Sequence, residues 1–207
     1  MEFVRRLWSM FGVRGIPEGM HDRVPDGQSV TPKMPVMNLS YAFRLSTADW
    51  RLSVTGLVDR EIELTWEDFL ALASVVETVD FHCVTQWTRL NVAWEGVAAS
   101  TVLELASPRP EARYAMFHCP DGYATNVDLA MVYQPEVLFA HKMDGEPLAP
   151  NHGYPVRLVV PARYGWKSAK WVTGVELLAE DQPGFWELNG YHMRGDPWRE
   201  ERFSHGR

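Results

Sequence analysis

From Trp50 onward, apolar and polar residues alternate in short runs, the signature of half-buried strands. Trp50-Arg-Leu-Ser-Val-Thr-Gly56 predicts one strand and Glu61-Ile-Glu-Leu64 a second. Thr65-Trp-Glu-Asp68 has the form of a capping box, in which a side-chain oxygen satisfies the orphan N–H groups of a helix start, and it predicts a helix running through Ala73. Thr78-Val-Asp-Phe-His-Cys83 alternates again and ends on a cysteine. A polar, aromatic loop is expected after it, then Trp94-Glu-Gly-Val97, then a short helix from Ser100 to Ala106. Tyr114 to His118 predicts a strand, and Asp128 the cap of another helical turn or two. Val137 to Leu148 predicts a hairpin turning at Asp144-Gly145. Val156 to Pro161 and Trp171 to Leu178 predict the last two strands. Residues 14–37 are rich in Gly and Pro and should wrap the core in irregular form. Strands dominate and short helices interrupt them, which makes the fold class α+β with mixed, mainly-β sheets. No repeat and no shift of composition marks a second domain. The expected division is an irregular arm over residues 1–37 and one domain over residues 38–207.

The 207 residues are 46% hydrophobic, enough for one substantial core. A formal net charge of -7 argues against nucleic acid, whose phosphates demand a basic face. No run approaches the ~20 apolar residues of a membrane span. Two cysteines, Cys83 and Cys119, are fewer than a secreted disulfide scaffold of this size uses. Arg5-Arg6 invites comparison with an export signal, but the apolar run after it is broken by Ser9 and Gly12 and stops at Arg14. The N-terminus is therefore read as a short amphipathic arm and the location as cytoplasmic.

Two segments carry candidate chemistry. In Phe81-His-Cys-Val-Thr-Gln-Trp-Thr-Arg89, a strand delivers Cys83 to a loop, where a thiolate can reach a cofactor outside the sheet. Soft thiolates suit metals, and a bound metal keeps the thiol deprotonated. In Asn151-His-Gly-Tyr-Pro-Val-Arg157 and Arg163-Tyr-Gly-Trp-Lys-Ser-Ala-Lys-Trp171, the cations His152, Arg157, Arg163, Lys167 and Lys170 flank one apolar strand, with Gly165 and Ser168 between the later ones. Cations, a hydroxyl and free backbone N–H groups around a turn form a phosphate cradle. Neither the P-loop nor the dinucleotide glycine pattern is present. Two rival readings use the same residues. One is a phosphate- or nucleotide-binding module in which Cys83 is merely buried. The other is a zinc site from His82, Cys83, His118 and Cys119, which strand geometry disfavours because neighbouring residues point to opposite faces.

These motifs resemble the sulfite oxidase family of molybdopterin-dependent oxidoreductases. The Cys83 segment resembles that family's molybdenum-ligand loop, His152-Gly-Tyr-Pro-Val-Arg157 its H-G-x-P-[VL]-R motif, and Lys167-Ser-Ala-Lys-Trp171 its turn before K-W. The resemblance runs from about Asn38 to Tyr191. It implies a sulfite oxidase-type fold, Mo-molybdopterin as cofactor and Cys83 as the molybdenum ligand. It puts His152, Arg157, Ser168 and Lys170 at cofactor-binding positions, with Asn38 and Tyr41 as further contacts. Cys119 and Asp121 both fall where branches of the family contact the pterin, and the alignment does not choose between them. Tyr191 falls at the place of an active-site tyrosine. The basic run that follows the cysteine in sulfite oxidases is replaced by Thr-Gln-Trp-Thr and only then Arg89, so sulfite itself is disfavoured. Tyr191 and Arg89 are the candidates for orienting a substrate. The resemblance implies oxygen-atom transfer on a small sulfite-, sulfoxide- or N-oxide-like molecule by a stand-alone catalytic core without haem or dimerisation domains. It implies a separate electron-transfer partner as well.

Overall fold

The computed structural model describes residues 15–37 and 44–205. Asn38 and Tyr41 lie outside the described residues. The first sheet holds β1 (Ser29–Val30), β4 (Ser74–Cys83), β5 (Trp87–Ala98), β8 (Leu138–Met143), β9 (Glu146–Pro147) and β10 (Arg157–Val159). The second has the order β3 (Ile62–Thr65), β2 (Arg51–Gly56), β11 (Gly174–Leu178), β6 (Tyr114–His118), β7 (Ala124–Asp128). Short helices join them: α1 (Trp66–Ala71), α2 (Ala99–Glu104), α3 (Leu129–Val132) and α4 (Phe185–Leu188). The mixed sheets with short helices are the α+β architecture expected from the pattern. No helix among the described residues is long and apolar enough to cross a membrane.

The local signals act as their chemistry predicts. Thr65 accepts from the Asp68 amide while Asp68 accepts from the Thr65 amide, so both orphan donors at the start of α1 are satisfied. Asp128 caps α3 through the Met131 amide at 2.9 Å. Asp144 and Gly145 turn the β8–β9 hairpin, both at positive φ.

The main correction concerns the segment after Cys83. It is not an extended loop. A tight turn, closed by the Gln86 amide on the Cys83 carbonyl at 3.0 Å, leads at once into β5, which at twelve residues outruns every other described strand. β5 pairs antiparallel with β4 along one edge, and on the other with β1 at its start and β8 at its end. Its alternation is broken midway by Asn91, held in the left-handed region (φ 53°) beside a register shift in β4, with its amide on Asp80. That break hides the strand from a period-2 reading. Strand β7 and helix α4 were also absent from the prediction. The N-terminal arm is not wholly irregular, since β1 joins the first sheet in parallel with Trp87–Thr88.

Alternation on β10 divides the interior. Val156, Leu158 and Val160 enter the large core between the sheets with Val54, Phe117 and Leu177. Val159 enters a second cluster with Phe81, Cys83, Trp87 and Trp94, and the Arg157 guanidinium lies over the rings of Phe81 and Trp94. One strand buried on both faces thus delivers a cation to the face where β4 delivers a thiol.

Candidate active site

A cavity of about 410 Å³ opens beside the end of β4. Cys83, Asp121, His152, Arg157, Ser168, Lys170 and Tyr191 all line it. They come from the end of β4, the β6–β7 turn, the start of β10 and the turns on either side of it, and the C-terminal segment. The site is therefore a product of the fold rather than of any one motif.

Cys83 is buried, with its sulfur 3.2 Å from the Thr85 hydroxyl. Burial raises its thiol pKa, opposed by Thr85 and by the charges of Lys170 and Arg202. The backbone there is held from several sides. Gln28 donates to the Cys83 carbonyl at 3.1 Å, and Arg202 donates to the Val84 carbonyl.

The cationic wall is assembled by backbone turns. Gly153 has φ 106°, and a Cβ there would meet Arg157 Cβ at 3.0 Å and Lys170 Cβ at 3.1 Å, so only glycine lets the two cation-bearing segments come this close. Gly165 has the same role against Phe81, whose ring a Cβ would meet at 2.6 Å. Arg157 is 2% exposed and donates to the carbonyls of His152 at 3.2 Å and Ser168 at 3.1 Å. Ser168 accepts from the Val160 amide at 2.9 Å. Lys170 donates to the Asn151 carbonyl at 3.0 Å and the Met37 carbonyl at 2.9 Å.

Burial pushes Arg157 down to about 10. Burial and the neighbouring Arg157 and Lys170 charges push His152 down to about 4. Burial and Arg157 push Lys170 down to about 7. Among the described residues no carboxylate forms an ion pair with Arg157 or His152. A buried wall on which burial first, and neighbouring charge second, disfavours protonation is suited to an anion that restores it.

The remaining candidates are placed differently. Cys119 does not line the cavity; it packs in the core between the sheets, where burial and Asp121 push its thiol up. The β6–β7 turn presents Asp121 instead, so of the two alternatives only Asp121 faces the cavity. Arg89 does not line it either. Its guanidinium is committed to Asp144 at the β8–β9 turn, and it reaches the site only as a charge felt by His152. Tyr191 lines the cavity with its ring edge-on to Trp166 at 5.1 Å and 4.8 Å from Trp186. The four residues of the zinc reading do not converge. His82 turns to Thr88, His118 to Glu176, and no group of three metal-binding side chains occurs among the described residues.

Sequence reasoning missed the aromatic walls Trp87, Trp166 and Trp186, and the hydroxyl of Tyr123, which donates to the Trp166 carbonyl. It also missed Gln28 and Arg202. Lys167 and Arg163, read with the cationic motif, turn away. Lys167 pairs with Glu187 at 2.5 Å, both fully buried, and with Arg163 it lines a second cavity.

Comparison with known proteins shows the family. Residues 38–186 match the family profile described as oxidoreductase molybdopterin binding domain. The uncharacterized oxidoreductase YuiH of Bacillus subtilis is 44% identical over 183 residues, covering 88% of this chain and 92% of that protein. The protein-methionine-sulfoxide reductase catalytic subunit MsrP of Campylobacter jejuni is 28% identical, covering 72% of this chain and 56% of that protein. The crystal structure of the sulfane dehydrogenase SoxCD from Paracoccus pantotrophus shares the fold, with a TM-score of 0.65 at 24% identity over 84% of this chain and 52% of that one. The chain thus spans nearly all of YuiH and about half of the other two.

The lining residues fit such a cofactor. A buried thiol offers the soft ligand that molybdenum takes, Arg157 and Lys170 offer the charge that a pterin phosphate needs, and His152 offers a neutral hydrogen-bonding ring beside them. The chain belongs to the oxidoreductase molybdopterin binding domain family and is a molybdopterin-dependent oxidoreductase, a catalytic core of sulfite oxidase type with Mo-molybdopterin as its cofactor.

Proposed function

We propose that this enzyme removes an oxygen atom from a small sulfoxide-type substrate, with Cys83 as the protein ligand to molybdenum. The observation that carries the reading is the convergence of the thiol, the cationic wall and Tyr191 on one cavity. The molybdenum–pterin group, when bound, would supply the two-electron exchange that the reaction needs. The protein supplies geometry and electrostatics. Arg157, Lys170 and His152 would hold the phosphate, and Asp121 and Ser168, which line the same cavity, would contact the pterin. Tyr191 is the one candidate orienting group of the two read from sequence that reaches the cavity. Its hydroxyl donates a hydrogen bond to the transferring oxygen and strengthens as charge develops there. Burial, and after it the Cys83 sulfur, push the Tyr191 phenol up, which keeps the proton on it for that purpose. The net change is sulfoxide plus two electrons plus two protons to thioether plus water. The electrons come from a separate redox partner.

The neutral, aromatic surroundings of Tyr191 favour a neutral sulfoxide over a sulfite-like anion, and the relatives include a methionine-sulfoxide reductase. The test is metal analysis of protein made in a host competent for the cofactor, followed by turnover of sulfoxide, N-oxide and sulfite with artificial redox partners. About one molybdenum per chain and a preference for sulfoxide are expected. Fully loaded protein that turns over sulfite but no sulfoxide would overturn the substrate assignment.

A further inference from the structure

The segment after Tyr191 folds back onto the site as a strap. Tyr191 and Phe203 form an antiparallel bridge, and their rings meet at 5.2 Å. The His192 amide donates to the Arg202 carbonyl at 3.2 Å, and the Ser204 amide to the Gly190 carbonyl at 3.0 Å. Glu201 accepts from the Asp196 amide at 3.1 Å and pairs with Arg194, which closes the strap on itself. Two of its residues then engage the two neighbours of Cys83 in sequence, one by a side chain and one by its backbone. Trp198 packs edge-on against His82 at 5.9 Å. Arg202 lays its guanidinium over the ring of fully buried Tyr164, 5.1 Å from the centroid, and donates to the Val84 carbonyl. Tyr164 is itself tied to the strap, since its amide donates to the Gly195 carbonyl at 2.8 Å.

We propose that Arg202 is a positioning residue for the Cys83 turn: anchored on Tyr164, it holds the Val84 carbonyl and thereby fixes where the thiol points. The residues matched by the family profile stop at 186, so this assignment comes from the strap alone. The geometry supports it: the flat guanidinium is held by the aromatic face and the carbonyl together, an arrangement that an ammonium does not reproduce. The inference rests on the reading of Cys83 as the metal ligand.

The experiment compares wild type with Arg202→Met and Arg202→Lys, each as the full chain. In cofactor-free protein, hydrogen exchange is followed at the Gln86 amide, which closes the turn onto the Cys83 carbonyl. In protein loaded to equal molybdenum content, the electron paramagnetic resonance of the one-electron-reduced metal is recorded. Arg202→Met should speed exchange at Gln86 about tenfold while leaving the second sheet unchanged, as loss of one charge-assisted hydrogen bond implies, and should alter the resonance. Arg202→Lys should recover only part of both. Unchanged exchange at Gln86, equal acceleration throughout the molecule, or full recovery by Arg202→Lys would each overturn the proposal. Should Arg202→Met fail to fold, Arg202→Lys carries the test: faster exchange at Gln86 alone supports the clamp, and wild-type exchange there overturns it. If Cys83→Ser leaves the resonance of the loaded protein unchanged, the ligand reading fails instead. The exchange result, obtained without cofactor, judges the clamp separately.

Discussion

Two cavities share the Gly165–Lys167 turn as a wall, with Trp166 facing one and Lys167 lining the other. Their charge is arranged in opposite ways. In the second cavity every arginine and lysine has a carboxylate: Arg163 has Asp128, Lys167 has Glu187 and Arg194 has Glu201. In the first, Arg157 and His152 spend their neighbours on carbonyls and on each other, and their affinities for protons fall. Cations matched by carboxylates on one side of a turn, and a buried Arg157 matched by carbonyls on the other, mark the Arg157 side as the place for an anionic guest. The paired side is structure, and the Glu187 carboxylate, which also accepts from the Trp166 indole at 2.8 Å, braces the wall between them.

The sharpest way to break the comparison is at the thiol. Cys83→Ser should abolish turnover with the fold intact, whereas Cys119→Ser, in the core, should stay within a few-fold of wild type once folded. Equal losses in steady-state kinetics would show that the first cavity is not where the metal is held. Next in size is the paired side. Glu187→Ala strands the buried Lys167 charge and should cost about 3–5 kcal/mol in urea denaturation. A loss below about 1 kcal/mol would mean that the pair is not the brace it is taken for. Tyr191→Phe keeps the ring against Trp166 and Trp186 and removes only the hydroxyl. Molybdenum content should hold while the rate falls roughly tenfold to several hundredfold. An unchanged rate would make Tyr191 a packing residue and pass the role to Tyr123, which also lines the cavity.

The comparison is sharpened further by the pH dependence of the crowded wall. Lys170 sits at about 7 against an ordinary 10.5. Between those values the unfolded chain binds the proton more tightly than the folded one, so cofactor-free protein gains stability from this residue as pH rises from about 7 towards 10.5. His152, at about 4 against 6.5, acts in the same direction at lower pH. Lys170→Met should flatten the upper part of that rise and weaken cofactor retention roughly tenfold or more. A stability difference from wild type that does not change with pH would place Lys170 outside the crowded cluster.

Much of the frame was legible because its signals are local. Thr65 with Asp68, Asp128, and Asp144-Gly145 each act within a few residues, where chain geometry leaves little choice. β5 was not legible, because a left-handed Asn91 interrupts its alternation and two of its partners, β1 and β8, lie far away in sequence. Arg89 misled for a related reason. It stands opposite Phe81 in register, next to the site, but an acid more than fifty residues away captures its guanidinium. Arg163 and Lys167 share a motif with Lys170 and are divided from it only by which way one short turn faces.

What the sequence by itself determined is the inventory: a thiol at a strand end, cations about glycines that permit close approach, and the short-range caps and turns that space them. Those properties depend on residue type and on separations of a few positions, which survive in any environment. Only the tertiary structure decided which members of the inventory meet. It set Asp121 rather than Cys119 at the cavity, drew Arg89 away to Asp144, sent Lys167 to a buried pair with Glu187, and brought Arg202 back across the chain to the carbonyl beside Cys83. The reason is physical. A side chain's reach is a few ångströms, whereas the positions it can reach are set by sheet pairing between segments tens of residues apart, and burial then fixes the charge that each one can carry.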